Sequence, residues 1–76
     1  MKTYYETSDM GVAVVLEIKG YGIADVDKSN PKRVVFKFQE DDKLHKIVAD
    51  YWNKNLKIDA LTMQTAIKNI KGRLYN

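Results

Sequence analysis

Hydrophobic and polar positions alternate most clearly over residues 33–39. There Val34, Phe36 and Phe38 fall on one side of an extended chain, and Arg33, Val35 and Lys37 on the other. The alternation predicts a strand with one buried face. Ahead of it, Lys28-Ser29-Asn30-Pro31-Lys32 gathers turn-forming residues, and Pro31 biases Asn30 away from helical dihedrals, so this stretch reads as a hairpin loop. The partner strand then falls at residues 22–27, with Ile23 and Val26 supplying its apolar surface.

Beyond residue 39 the period changes. Glu40-Asp41-Asp42 reads as a helix start rather than a metal site, because carboxylates near a helix N-terminus accept hydrogen bonds from its exposed N–H groups and are favoured by the macrodipole. Over residues 43–54 Leu44, Ile47, Val48 and Tyr51 recur at helical spacing, with Trp52 at the border of the stripe. Residues 53–58 form a short connection. Asp59 then caps a last helix in which Met63, Ala66, Ile67, Ile70 and Leu74 make an apolar face. Residues 7–20 fit two readings. Val12, Val14, Leu16 and Ile18 alternate with Ala13, Val15, Glu17 and Lys19, a strand period in β-branched residues. Thr7-Ser8-Asp9 and Gly20 also frame a short helix buried on most sides.

With 76 residues, 45% of them hydrophobic and 30% charged, the chain is expected to form one globular domain over residues 1–76. It contains no cysteine, which excludes disulfides and cysteine-ligated zinc and leaves stability to packing. The residues after Met1 include no apolar leader, and the longest apolar run, residues 11–16, is too short to span a bilayer. A soluble, cytoplasmic protein without membrane association is the expectation. The expected fold is α+β: a small antiparallel hairpin, with room for a third strand, packed with about three helices in the order α-β-β-α-α. Its predicted core draws on Val14, Leu16, Ile23, Val34, Phe36, Phe38, Leu44, Ile47, Val48, Tyr51, Ile67, Ile70 and Leu74.

Several short pieces occur in an order that resembles a family of very short bacterial and phage-type proteins known as a domain of unknown function. They are Thr7-Ser8-Asp9 before an apolar segment ending Lys19-Gly20-Tyr21, then Arg33-Val34-Val35-Phe36-Lys37-Phe38, and Asp50-Tyr51-Trp52-Asn53. Leu56-Lys57-Ile58-Asp59 and residues 66–74, with Lys68 and Lys71, complete the set. In that family the first segment is richer in Ala and Leu, so the resemblance implies a helix there. The Val12-Ala13-Val14-Val15 of this chain departs from that pattern. The resemblance implies no activity, substrate or catalytic residue.

The residues themselves argue against catalysis. Nucleophilic chemistry needs Ser, Cys or Thr beside a base, and His45 is the only imidazole; it reads as a surface residue near Trp52. One histidine with scattered carboxylates is a poor transition-metal set, so no metal or other cofactor is expected. Asp25 and Asp27 share a strand face but read as solvated charge near a turn. Gly20-Tyr21-Gly22 follows no strand and opens no helix in the order a phosphate loop needs, and reads as a turn.

Binding is the remaining class. The net charge is +3, and it is uneven: residues 1–53 hold 8 Lys/Arg against 9 Asp/Glu, and residues 54–76 hold 5 against 1. On the last helix Gln64, Lys68, Lys71 and Tyr75 form a stripe opposite the apolar face. Lys57 and Arg73 extend it, and Arg33 and Lys37 form a second basic patch on the hairpin. Cations beside an amide and an aromatic ring suit phosphate neutralisation and base stacking, so sequence-independent nucleic-acid binding is expected. The competing expectation is a protein-interaction module, an accessory or inhibitor of a larger complex. It rests on an aromatic surplus in which Trp52 is the candidate anchor. Self-association through an edge strand is a further expectation.

Overall fold

The structure is a computed structural model that describes residues 3–74. Its elements in chain order are β1 (Tyr4–Thr7), α1 (Met10–Ile18), β2 (Ile23–Asp27), β3 (Val35–Gln39), α2 (Asp42–Trp52) and α3 (Ala60–Leu74), an α+β fold. The three strands form one antiparallel sheet in the order β1-β3-β2. β3 is central, as its two buried phenylalanines require. Tyr5 and Thr7 of β1 lie opposite Phe38 and Phe36, and Ile23 and Val26 of β2 lie opposite the same two residues from the other side. These six residues make the inner face. Tyr4, Glu6, Asp25, Asp27, Lys37 and Gln39 alternate onto the outer face.

The inner face meets α1, whose burial has no polar side. Val12, Ala13, Val14, Val15 and Leu16 each keep 2% or less of their surface exposed. Five successive residues at the helical pitch go fully round the axis, so α1 is covered in every direction. Val12, Ala13, Val14 and Leu16 belong to one cluster with Phe36, Phe38, Leu44 of α2 and Ile70 of α3. Val15 borders a small cavity together with Tyr51, Leu56, Ile58 and Met63, so the connection between α2 and α3 lies on its side of α1. α1 packs against both α2 and α3. The molecule measures 34 × 33 × 19 Å, the depth of one sheet and one helical layer.

This arrangement decides between the two readings of residues 7–20. A helix buried all round carries no polar stripe, so the alternation of Val12, Val14, Leu16 and Ile18 has no structural meaning. The flanking signals are the informative ones. Asp9 Oδ1 accepts from the Val12 N–H at 3.1 Å, capping the first turn. At the other end Gly20 takes φ +96°; its N–H donates to Glu17 O at 3.1 Å and the Tyr21 N–H to Leu16 O at 2.9 Å, the paired bonds of a Schellman stop. Gly20-Tyr21-Gly22 is thus a helix terminator leading into β2.

The expected order α-β-β-α-α lacks the first strand; the observed order is β-α-β-β-α-α. Tyr4-Tyr5-Glu6-Thr7 is rich in strand formers, but four residues are too few to display a period, and their pairing with β3 is a long-range contact. Of the predicted core, Val14, Leu16, Ile23, Phe36, Phe38, Leu44 and Ile70 are buried, and Val34, Ile47, Val48, Tyr51, Ile67 and Leu74 are half-buried against them. Val12, Ala13, Val15 and Ala66 complete the buried set.

Close packing at Gly11 joins α1 to α2. A Cβ there would overlap the Tyr51 hydroxyl and come within 3.0 Å of its ring Cζ and 3.1 Å of Asp9 Oδ1, the capping atom. Gly11→Ala gains helix propensity of up to about 1 kcal/mol but must displace Tyr51, and such overpacking costs about 1–3 kcal/mol. We expect net destabilisation of about 1 kcal/mol in urea unfolding, and a Gly11→Ala variant more stable than the parent would contradict the packing described.

Candidate binding surface

α3 is held at both ends and along one side. At its start Asp59 Oδ1 accepts from the Thr62 N–H at 2.9 Å and Oδ2 from the Thr62 hydroxyl at 2.6 Å. The Thr62 side-chain and backbone bonds hold the Asp59 carboxyl below the ordinary aspartate range. At its end Lys28 Nζ donates to Arg73 O at 3.1 Å and Leu74 O at 2.8 Å, placing a cation on the negative pole of the helix. Ala66 and Ile70 are buried, and Met63, Ile67 and Leu74 half-buried. With that side fixed, Gln64, Lys68 and Lys71 project into solvent.

Lys57, in the connection before α3, is also exposed. Among the described residues, none of Lys57, Lys68 and Lys71 has a carboxylate within ion-pair distance. Tyr75, expected to continue the stripe, lies outside the described residues. Arg73 is exposed, yet its Nη2 donates to Ile23 O at 3.3 Å, tying the helix end to the start of β2. This guanidinium is partly occupied by the fold.

The expected second basic patch takes a different form. Lys37 lies on the outer sheet face opposite Glu6 of β1 and Asp25 of β2, with its Nζ 4.0 Å from Glu6 Oε1. Asp27 shares that face, and hydrogen bonds from Ser29 hold its carboxyl below the ordinary range, with the Lys37 charge adding to the effect. Three carboxylates thus share the outer sheet face with one ammonium group. Arg33 precedes β3 and donates from Nε to Ser8 Oγ at 3.1 Å. The sequence predicts the face of Lys37 correctly but is silent on its cross-strand neighbours, which come from distant segments.

Two aromatic sites differ in kind. Trp52 is 59% exposed at the end of α2, its ring edge-to-face with Tyr51 at 5.0 Å between centroids. His45, expected near Trp52, instead lies beside Glu40 and Tyr5: Nε2 is 3.5 Å from Glu40 Oε1, and its ring meets Tyr5 at 5.9 Å and 86°. Among the described residues, no three His, Asp or Glu side chains gather as a metal site, and no helix is long and apolar enough to cross a membrane.

Asp41 joins two turns of the chain. Its Oδ1 accepts from the Leu44 N–H at 2.8 Å as the cap of α2, and from the Tyr21 hydroxyl at 2.6 Å. The EDD run is therefore a cap, as its sequence predicts. The Tyr21 bond, followed by that from Leu44, lowers the Asp41 pKa, and the same bond pushes the Tyr21 phenol up to about 12.

Fold and surface together define a small α+β domain whose last helix and the connection before it carry the exposed lysines Lys57, Lys68 and Lys71. The chain belongs to the family described as a domain of unknown function (DUF5659), whose model matches residues 2–76. No curated protein and no solved structure matches it.

The Tyr21–Asp41 bond predicts a two-sided pH dependence. Asp41, with its folded pKa depressed, contributes stability above the ordinary value of 3.8 that is lost as pH falls through the folded value; Tyr21, with its pKa raised from 10.0, contributes stability lost as pH rises toward about 12. Tyr21→Phe should lower the melting temperature at neutral pH, and the gap should narrow toward both extremes. Coincident melting curves at neutral pH would contradict the bond.

Proposed function

We propose that this domain is a binding module that contacts nucleic acid without reading its sequence, through Gln64, Lys68 and Lys71 of α3 together with Lys57. The supporting observation is that these lysines are exposed and free of carboxylate partners among the described residues, while Glu6, Asp25 and Asp27 gather on the outer sheet face. A cation already paired must give up its partner to meet a phosphate; these need not. Gln64 adds an amide able to bond sugar or phosphate oxygens. Arg33, Lys37 and Arg73 have intramolecular partners and contribute less.

A second reading, a protein-interaction module, is favoured by Trp52, whose large exposed ring has the chemistry of an interface anchor. Pairing of two copies would run along β1, because β2 is interrupted by a bulge between Ile23 and Asp25 and engaged by Arg73. Affinity capture with and without nuclease separates the two readings. A partner that survives nuclease and is lost in Trp52→Ala favours the second, and one released by nuclease favours the first.

The direct test of the first reading is fluorescence anisotropy with labelled duplex and single-stranded probes at several salt concentrations. With about three phosphates neutralised, log affinity should fall against log salt with a slope of about −2.7 for duplex and about −2 for single strands. A Lys68→Ala/Lys71→Ala variant should flatten the duplex slope by about 2. Absence of salt-sensitive binding at tens of micromolar protein would remove this reading.

A further inference from the structure

The flank of α3 that faces α1 carries a chemistry unlike that of the lysine stripe. Between the C-terminal end of α1 and the first turns of α3 lies an open groove of about 370 Å3, with Glu17 and Ile18 on one wall and Leu61, Thr62, Thr65 and Asn69 on the other. Glu17 Oε2 is buried and, among the described residues, has no hydrogen-bond partner. A buried carboxylate oxygen without a hydrogen-bond partner is unfavourable, and Glu17 also lines the groove, so a donating ligand that draws the carboxylate toward it is favoured.

The neighbouring hydroxyls have the same polarity. The Thr62 hydroxyl donates its hydrogen to Asp59 Oδ2 at 2.6 Å, and the Thr65 hydroxyl donates to Leu61 O at 3.0 Å. With their hydrogens committed, both oxygens are left to act as acceptors, and the Asn69 amide can offer either its carbonyl or its NH2. Apolar surface borders these acceptors: Leu61 is 74% exposed and Ile18 half-buried. An anionic ligand would lie against the Glu17 carboxylate and be repelled. A group with several donors, a positive charge and an aliphatic stem matches the Glu17 carboxylate, the two threonine oxygens and the apolar border.

We propose that this groove receives the side chain of an arginine presented by a partner protein, with the guanidinium on Glu17 and the stem along Leu61 and Ile18. Arginine suits the groove better than lysine because its five donors can serve several acceptors at once and its weakly hydrated guanidinium is less costly to bury. The inference is independent of the nucleic-acid reading, since it uses neither Lys68 nor Lys71.

The test is a titration of the isotopically labelled domain, followed by its amide NMR spectrum, with N-acetylarginine amide, its lysine counterpart and the isosteric but uncharged citrulline amide. The arginine probe should shift amides of Glu17, Ile18, Leu61, Thr65 and Asn69 saturably at millimolar concentration. The lysine probe should bind more weakly. Citrulline, or arginine with Glu17→Gln, should bind at least about tenfold more weakly, the order of one charge-assisted hydrogen bond. Thr65→Val, an exposed change that removes one acceptor, should weaken arginine binding severalfold while the spectrum stays folded. Equal response to arginine and citrulline, shifts centred elsewhere, or undiminished arginine binding by both variants would overturn the proposal. So would concentration-dependent broadening of these amides without probe, which would mean that a second copy of the chain occupies the groove.

Discussion

Val12, Ala13, Val14, Val15 and Leu16 occupy less than two turns of α1, and all five are removed from water. That constraint organises the remaining elements, because a helix with no wet side must be enclosed by everything else. The sheet supplies Phe36 and Phe38, α2 supplies Leu44, α3 supplies Ala66 and Ile70, and Tyr51, Leu56, Ile58 and Met63 border a cavity beside Val15. Burial of a Val or Leu side chain contributes roughly 1.5–3 kcal/mol, so this short segment is a large share of the favourable energy of a chain without disulfides.

The same enclosure fixes which side chains reach solvent. Because Ala66 and Ile70 turn toward the core, Gln64, Lys68 and Lys71 project outward on one flank of α3, and Leu61, Thr65 and Asn69 border the groove beside α1 on another. Because Phe36 and Phe38 turn inward, Lys37 is committed to the outer sheet face among Glu6, Asp25 and Asp27. The uneven charge of the sequence thereby becomes a spatial separation: an outer sheet face richer in carboxylates, and a helix α3 whose outward lysines, Lys68 and Lys71, lack carboxylate partners among the described residues. Cations at the seams serve the fold, Lys28 at the C-terminal end of α3 and Arg73 at the start of β2.

What the sequence reveals follows the same physics. β3, α2 and α3 each bury one side, so their periods are legible, and the caps at Asp41 and Asp59 stand where the acidic residues predict. α1 escapes a periodic reading because it has no second side, and only Asp9 and Gly20 mark it. β1 is four residues long and owes its state to pairing with β3, a contact distant in sequence. For the candidate surface, local spacing identifies the outward stripe of α3. It cannot show that Lys37 meets Glu6, that Arg33 meets Ser8, or that Glu17 faces Thr65 across a groove, since each pairing joins separate elements.

The most direct measurement of the central claim is native-state hydrogen exchange across the backbone. If α1 is the enclosed element on which the others pack, the amides of Leu16 and its hydrogen-bonded neighbours in α1 exchange only on global unfolding, with the highest opening free energy in the domain. Faster exchange in α1 than in α3 or β3 would mean that the helix opens while the rest stays folded, and would contradict this account.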